Sequence, residues 1–410
     1  MNHPQAGHDG RPIIDRPPPA VLLALRKRRA RLARSATIMA RPHPCLLLER
    51  DPGRPLAFVR LATQFENVGD CLIHRELLRL LAARADLCID VRGCPRSFVR
   101  QVVLGLARPG EMRTSRWPFY LRMLVARLLR RRCFWFLAPG ASSGALPAVG
   151  LLPALARDLA LPLASGLGVR VCQVGSSFGG LAPGPLERWR WRRRWLAQLR
   201  PRDEASAAYL RGHGVLPDPC IPDLAFNLFE SLPTPGGAGD GRVPTVCLSF
   251  RTDQDPGQAA DVTAGALALC RRSDPATRWR TMVQVARDLP GMEALRRRLL
   301  EAGFAPGPVV DLHDDPEGCL AYFREVSLVV SNRLHVLLMA ASQGARILAV
   351  TDGPGGAKLE GILGDLGLQA AATTSARLAE GRADDLGVAL DGTGQRARLR
   401  HAFDELLSPT

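Results

Sequence analysis

The run Ser331-Asn332-Arg333-Leu334-His335-Val336 sets a guanidinium and an imidazole directly before apolar residues at helical spacing, Leu337 to Ala341. The first N–H groups of a helix lack internal partners and the positive end of the helix dipole favours anions, so such a junction suits a phosphate or carboxylate. Arg333, the Leu334 N–H and His335 are therefore candidate ligand-binding groups, and an imidazole can also exchange a proton near neutral pH. Arg251 follows the strand-like run Val246 to Phe250 and offers a planar fork to a carboxylate or phosphate. Asn67-Val68-Gly69-Asp70 stands between strand-like and helix-like segments, where Gly69 permits close backbone approach to a ligand and Asp70 can cap the helix.

Two further small-residue segments follow strand-like runs: Pro139-Gly140-Ala141-Ser142-Ser143-Gly144 and Gly175-Ser176-Ser177-Phe178-Gly179-Gly180. They are expected to be loops, with Gly140, Ser142 and Ser177 placed to meet a ligand's hydroxyls or phosphate. Neither completes a Walker or dinucleotide fingerprint, which argues against an ATPase or a dehydrogenase. Three other groups are given structural readings. Asp203 is expected to cap a helix and pair with Arg202. His313-Asp314-Asp315 is expected to be a loop and helix cap rather than a metal site. Trp189 to Trp195 alternates aromatics with arginines, which fits a helix with a core-facing side and a charged exterior; recognition of a lipid-linked or anionic acceptor is its functional alternative.

The elements that must hold these residues alternate. Strand-like runs at Leu56, Leu87 to Val91, Cys133 to Leu137 and Val169 to Val174 are separated by helical patterns such as Cys71 to Ala83. A second series contains Val246 to Phe250, Thr281 to Val285, Val309 to Leu312, Val326 to Val330 and Ile347 to Val350. Strand–helix alternation predicts α/β domains with parallel sheets, which gather their turns at the carboxyl edge. With 410 residues and 46% hydrophobic composition the chain can bury two cores. The expected division is a basic, Pro- and Arg-rich extension over 1–45, one domain over 46–230, a Pro- and Gly-rich linker over 231–245, and a second domain over 246–410.

The formal net charge of +16 would ordinarily point to nucleic acid or an anionic membrane. Only Lys27 and Lys358 are lysines, however, and the excess of Arg, Ala, Gly and Pro has the look of codon bias, so anionic substrates fit equally well and no nucleic-acid partner is expected. Lys358 gains interest on that background. The ten cysteines form no Cys-x-x-Cys pair, so neither zinc nor a disulfide framework is expected and a reducing cytoplasm is the simplest compartment. Residues 133–156 carry no charge, but Pro139, Pro147 and Pro153 with several glycines predict strand, loop and helix start rather than a membrane span. The first residues do not have the pattern of a signal peptide.

Taken in order, Asn67-Val68-Gly69-Asp70, Gly175-x-Ser177-x-Gly179, Arg202-Asp203-Glu204-x-Ser206, Pro222-Asp223-x-Ala225-Phe226, Ser249-Phe250-Arg251, Arg333-Leu334-His335 and Lys358 after a Gly-rich turn resemble the polysaccharide pyruvyl transferase family. The resemblance covers roughly residues 56–370. It implies two Rossmann-like domains facing a cleft, as in GT-B glycosyltransferases, and transfer of the enolpyruvyl group of phosphoenolpyruvate onto sugar hydroxyls as a pyruvate ketal, in cell-envelope or exopolysaccharide synthesis. By the same resemblance the second domain takes phosphoenolpyruvate, through Arg251, the Leu334 backbone and His335, and the first takes a glycan or a lipid-linked or nucleotide-linked sugar acceptor. Asp70 is the candidate base and Lys358 a phosphate-neutralising group; no cofactor and no metal are called for beyond the donor substrate. A cytoplasmic location with peripheral contact at the inner face of the membrane is compatible with this reading. The alternative is a GT-B glycosyltransferase using a nucleotide-sugar donor, since fold alone does not fix the donor. The chain departs from the family pattern at Pro139 and Ala141, where glycines are usual, and at Gly180, where Pro is common.

Overall fold

In the computed structural model the described residues are 53–108, 110–144, 151–229, 244–252, 256–352, 356–381 and 386–408. The extension expected over 1–45 and nearly all of the linker expected over 231–245 lie outside them; Thr245 already belongs to a strand.

The first sheet contains β1 (Leu56–Arg60), β2 (Asp86–Asp90), β3 (Glu111–Arg113), β4 (Cys133–Phe136), β5 (Gly140–Gly144), β6 (Arg170–Leu181) and β7 (Gln198–Pro201). All its pairings are parallel, in the order β3-β2-β1-β4-β6, with β5 and β7 also on β6. β5 prolongs the line of β4, because Phe136 pairs with Cys172 and Gly140 with Ser176. Its helices are α1 (Val68–Ala82), α2 (Arg96–Val103), α3 (Arg116–Leu128), α4 (Leu151–Gly166), α5 (Pro183–Arg193) and α6 (Glu204–Gly212). A 3-10 turn at Leu224–Leu228 follows.

The second sheet contains β8 (Thr245–Ser249), β9 (Arg278–Val283), β10 (Val310–Asp311), β11 (Leu328–Ser331), β12 (Arg346–Val350) and β13 (Ala372–Thr373), parallel in the order β10-β9-β8-β11-β12-β13. Its helices are α7 (Pro256–Arg272), α8 (Leu289–Glu301), α9 (Pro316–Phe323), α10 (Leu334–Ala341), α11 (Gly356–Asp365) and α12 (Ser375–Glu380). The last helix, α13 (Thr393–Leu407), returns to the first sheet, where Phe403 stacks on Phe136 of β4 and Asp404 pairs with Arg84 beyond the end of α1. Strands such as Leu328-Val329-Val330 are buried throughout, which is why they appear in the sequence as unbroken apolar runs.

This topology fixes where ligands can sit. In the second sheet the chain moves outward one way from β8 through β9 and β10, and the other way from β11 through β12 and β13. In the first it does so from β1 through β2 and β3, and from β4 through β6 and β7. The crevice beyond the carboxyl ends of β8 and β11 is therefore a topological switch point, as is that beyond β1 and β4, and open α/β sheets bind ligands at such places. Arg251 follows β8, Asn332 to His335 follow β11, and Asn67 to Asp70 follow β1.

Several local expectations are corrected. Gly175 to Gly180 is not a loop after a strand but the continuation of β6, and Gly140 to Gly144 is the strand β5. The small residues misled because Gly175 makes a bulge inside the strand: its φ is +67° and an added Cβ would lie 2.9 Å from Leu224. Bulges of this kind re-aim the following side chains. The strand expected at Thr281 to Val285 is β9, which begins and ends earlier. The cap of α1 is Asn67, whose Oδ1 accepts from Gly69 N at 2.9 Å, while Asp70 lies in the first turn.

Candidate active site

The strongest constraint on the site is the space at Gly69. A Cβ built there would lie 2.5 Å from Nδ1 of His335, a separation that no real side chain tolerates, so the starts of α1 and α10 meet with nothing between the Gly69 backbone and the imidazole. Close approach is thus the role of this glycine, but toward His335. The same loop is tied to the second sheet by backbone bonds: Val68 N donates to Gln284 O at 3.0 Å and Ala286 N to Glu66 O at 3.3 Å, with an antiparallel bridge between Asn67 and Val285. Beside it, Thr63 Oγ1 donates to the Asp70 carboxylate at 2.7 Å.

On its other side the imidazole faces a buried carboxylate. His335 Nε2 is 3.7 Å from Asp223 Oδ2, a distance for an ion pair when the imidazole is protonated but too long for a hydrogen bond. Asp223 is 2% exposed. It accepts from Arg202 at 2.5 Å and, through its other oxygen, from Ala225 N at 2.9 Å. Burial would raise its pKa, yet the Arg202 guanidinium, with His335 and the Ala225 N–H, holds it well below the usual carboxylate range. Asp223 therefore stays charged, and a removed partner would leave that charge buried.

Arg202 carries the network back to the first sheet. Its Nε donates to Ser177 Oγ at 2.5 Å, Ser177 donates to Asp203 Oδ2 at 2.6 Å, and Asp203 Oδ1 accepts from Ser206 N at 2.7 Å, capping α6. The capping role expected of Asp203 is thus present, and its ion pair with Arg202 spans 3.9 Å. Ser177 is buried in this chain of bonds. Gly140 and Ser142 lie on the adjoining strand, where Ala141 is paired with Ser177.

The two remaining cations sit on neighbouring loops locked to each other. Asn332 Oδ1 accepts from Arg251 N at 2.6 Å and its Nδ2 donates to Arg251 O at 3.3 Å. Arg333 ion-pairs with the buried Asp288, which also accepts from Thr252 N at 3.2 Å. Arg251 thus follows β8 on a loop fixed to the one that begins α10. The side chain of Lys358, in α11, lies outside the described part of the structure.

The structure therefore brings Asn67, Gly69 and Asp70 to Leu334 and His335, holds Arg251 and Arg333 on the adjoining loops, and reaches Ser177 through Asp223 and Arg202. Asp223 and Asp288 were missed as partners of His335 and Arg333. Pro222-Asp223 was visible as a motif, but its link to a residue more than a hundred positions later exists only in the folded chain. Chemically, the assembly offers a helix start for an anion, an imidazole for proton transfer, a permanent carboxylate behind it and a second carboxylate at Asp70.

The other expected clusters prove structural. Trp189 packs edge-on against Phe178 and lies under Arg192, while Trp191 and Trp195 pack on the same core. Asp315 caps α9 through Gly318 N, and His313 bonds Asp311 at 2.7 Å. Burial pushes the thiols of Cys71 and Cys172 up to about 12, which makes them unreactive core residues.

The family model for polysaccharide pyruvyl transferase matches residues 150–352, a span that includes Ser177, Arg202, Asp223, Arg251, Arg333 and His335. No curated protein matches the chain. Among solved structures, the UDP-GlcNAc 2-epimerase of Neisseria meningitidis bound to UDP-GlcNAc is similar with TM-score 0.51 and 8% identity, over 86% of this chain and 99% of that one. The UDP-GlcNAc 2-epimerase of Methanocaldococcus jannaschii has TM-score 0.50 and 11% identity, over 86% of this chain and 99% of that one. At such identities the likeness is one of fold: two Rossmann-like halves facing a cleft, in the GT-B manner. Through residues 150–352 this chain belongs to the polysaccharide pyruvyl transferase family, and it is a transferase.

Proposed function

We propose that the protein transfers the enolpyruvyl group of phosphoenolpyruvate to sugar hydroxyls, forming a pyruvate ketal on a cell-envelope or exopolysaccharide precursor in the cytoplasm. The observation that carries this reading is the convergence of the α1 and α10 starts at the Gly69–His335 contact, beside the loop of Arg251 and in front of the charged Asp223. Phosphoenolpyruvate is a small, multiply anionic enol ester. Arg251 and the Leu334 N–H receive its carboxylate or phosphate, and Lys358 neutralises the phosphate.

His335 gives a proton to the methylene carbon, which becomes a methyl group, while C2 takes on oxocarbenium character and is attacked by a sugar hydroxyl whose proton passes to Asp70. Cleavage of the bond from C2 to the phosphate oxygen then releases phosphate, and a second hydroxyl closes the ketal. The two hydroxyl protons balance those gained by the methyl carbon and the phosphate. Asp223 compensates the charge of the imidazole when it is protonated. Gly140, Ser142 and Ser177 lie on the side assigned to the acceptor, a glycan or a lipid-linked or nucleotide-linked sugar.

Release of phosphate from phosphoenolpyruvate, measured with and without a panel of such sugars, is expected only with a suitable acceptor. His335→Ala and Arg251→Ala are each expected to lower it by about a hundredfold or more. Undiminished turnover in both variants would reject the site. The competing reading is a nucleotide-sugar transferase, to which the UDP-GlcNAc in the Neisseria meningitidis neighbour lends its interest; calorimetric binding of UDP-GlcNAc without binding of phosphoenolpyruvate would favour it.

A further inference from the structure

On the outer face of the first sheet, α3 is apolar on two sides, although a helix covering a sheet needs only one. Phe119, Met123 and Ala126 are buried in the core. Trp117, Leu121, Leu124 and Leu128, spaced as a single stripe, face solvent instead, with Trp117 81% and Leu128 72% exposed. α4 repeats the pattern, with Leu159, Leu163 and, just past its end, Leu167 exposed while Leu161 and Ala164 are buried. The two helices adjoin: Arg127 of α3 donates to Leu167 O at 2.9 Å. Contiguous exposed apolar surface of this kind marks an interaction site rather than scatter.

Charge selects the occupant. From Arg116 to Arg132 the chain carries six arginines and no acidic residue; Arg122 is buried against Glu111 and Arg131 bonds Asp86, so the charge of this stretch rests on Arg116, Arg127, Arg130 and Arg132. The one acid of α4, Asp158, is buried beneath Arg188 and Arg192. Arg127 and Arg132 donate to backbone carbonyls, which leaves their positive charge in place. A second copy of this chain would set these four arginines against their equivalents, whereas an anionic leaflet attracts them. Among the described residues no helix is long and apolar enough to cross a membrane. A leucine stripe with a tryptophan and flanking arginines is instead the composition of a helix lying in the interface.

We propose that the α3–α4 face docks on the surface of an anionic phospholipid bilayer, with Trp117 and the leucines entering the headgroup–acyl boundary and the arginines meeting lipid phosphates. Flotation of the full chain with vesicles is the test, using phosphatidylcholine alone and phosphatidylcholine mixed with phosphatidylglycerol. Wild type is expected to float with the anionic vesicles and to be released by high salt. W117S/L121Q/L128Q is expected to lower that partitioning by at least about a hundredfold. L159Q/L163Q, on the other helix, is expected to weaken it by at least about tenfold. Both variants alter exposed positions and should keep the wild-type melting curve, so a loss of binding in folded protein supports the proposal. Equal binding by wild type and both variants, or no binding by wild type, would overturn it. So would a wild-type dimer in vesicle-free solution that the variants convert to monomer, since the face would then serve a second copy.

Discussion

At the scale of single residues, Gly69 links two motifs that lie far apart in the sequence. Substitution by Ala puts a methyl group 2.5 Å from His335 Nδ1, so the ring must move by about an ångström, a displacement that typically costs about a hundredfold in rate. Alanine is the better helix former by up to about 1 kcal/mol. Gly69→Ala is therefore expected to lose about a hundredfold in acceptor-dependent phosphate release while its melting temperature changes little; parallel loss of both would mean the glycine is only structural. Asp223 predicts differently. Asp223→Asn leaves the Arg202 guanidinium buried without its main counter-charge, a loss of about 3–5 kcal/mol measurable by denaturant titration. Because its folded pKa lies below the ordinary carboxylate value of 3.8, the stability it confers is complete above that value and is lost only as pH falls through the depressed one. This carboxylate therefore leaves no trace on an activity profile above about pH 4. The places of His335 at a helix start and Arg251 just past a strand were legible from the sequence because such junctions reveal themselves by apolar patterning. Their buried partners were not, since a carboxylate's partner is set by tertiary contact.

At the scale of elements, α1 carries both the Gly69 start and a buried base. His74 lies wholly inside, its Nδ1 bonded to Asp70 O at 2.8 Å and its ring edge-on to Phe98. Burial lowers its pKa from the ordinary 6.5. A group with a depressed folded pKa binds more protons when unfolded, so its stability is full above 6.5 and declines as pH falls below it. The decline is at most about 1.4 kcal/mol per pH unit for this one group. Thermal melts across that range should show the decline in wild type and a shallower one in His74→Gln; identical slopes would remove His74 as the cause. Most elements were readable in advance, because buried parallel strands are continuous apolar runs and helices repeat their leucines. The strands β5 and β6 beyond Val174 were not. Glycine and serine mimic loop composition, and only pairing with a neighbouring strand, with a bulge at Gly175, keeps them extended.

At the scale of the whole molecule, the two sheets share an apolar core in which Val68, Leu72 and Leu77 of α1 join Leu337 and Met339 of α10. A buried polar bridge reinforces it: Arg75 is fully buried, bonding Glu76 at 3.0 Å and Glu317 of α9 at 2.5 Å, while Asn227 donates to Glu76 at 2.8 Å. Arg75→Ala removes one member of a buried charged set that Arg79 still partly satisfies, which puts the cost near the lower end for such sets, about 3 kcal/mol. A denaturation midpoint equal to wild type would show that the bridge adds nothing. The parallel α/β plan and the GT-B-like pair of sheets were legible from alternation and order of motifs. How the halves touch was not, because Arg75, Glu76 and Glu317 are indistinguishable in sequence from surface charges.

The central claim is that phosphoenolpyruvate occupies the crevice where the loop of Arg251 meets the start of α10. A crystal structure of the protein soaked with phosphoenolpyruvate tests it most directly. The carboxylate or phosphate is expected against the Arg251 guanidinium and the Leu334 N–H, with the methylene carbon turned toward His335; phosphoenolpyruvate bound elsewhere, or turned with its methylene away from the imidazole, would contradict the proposed function.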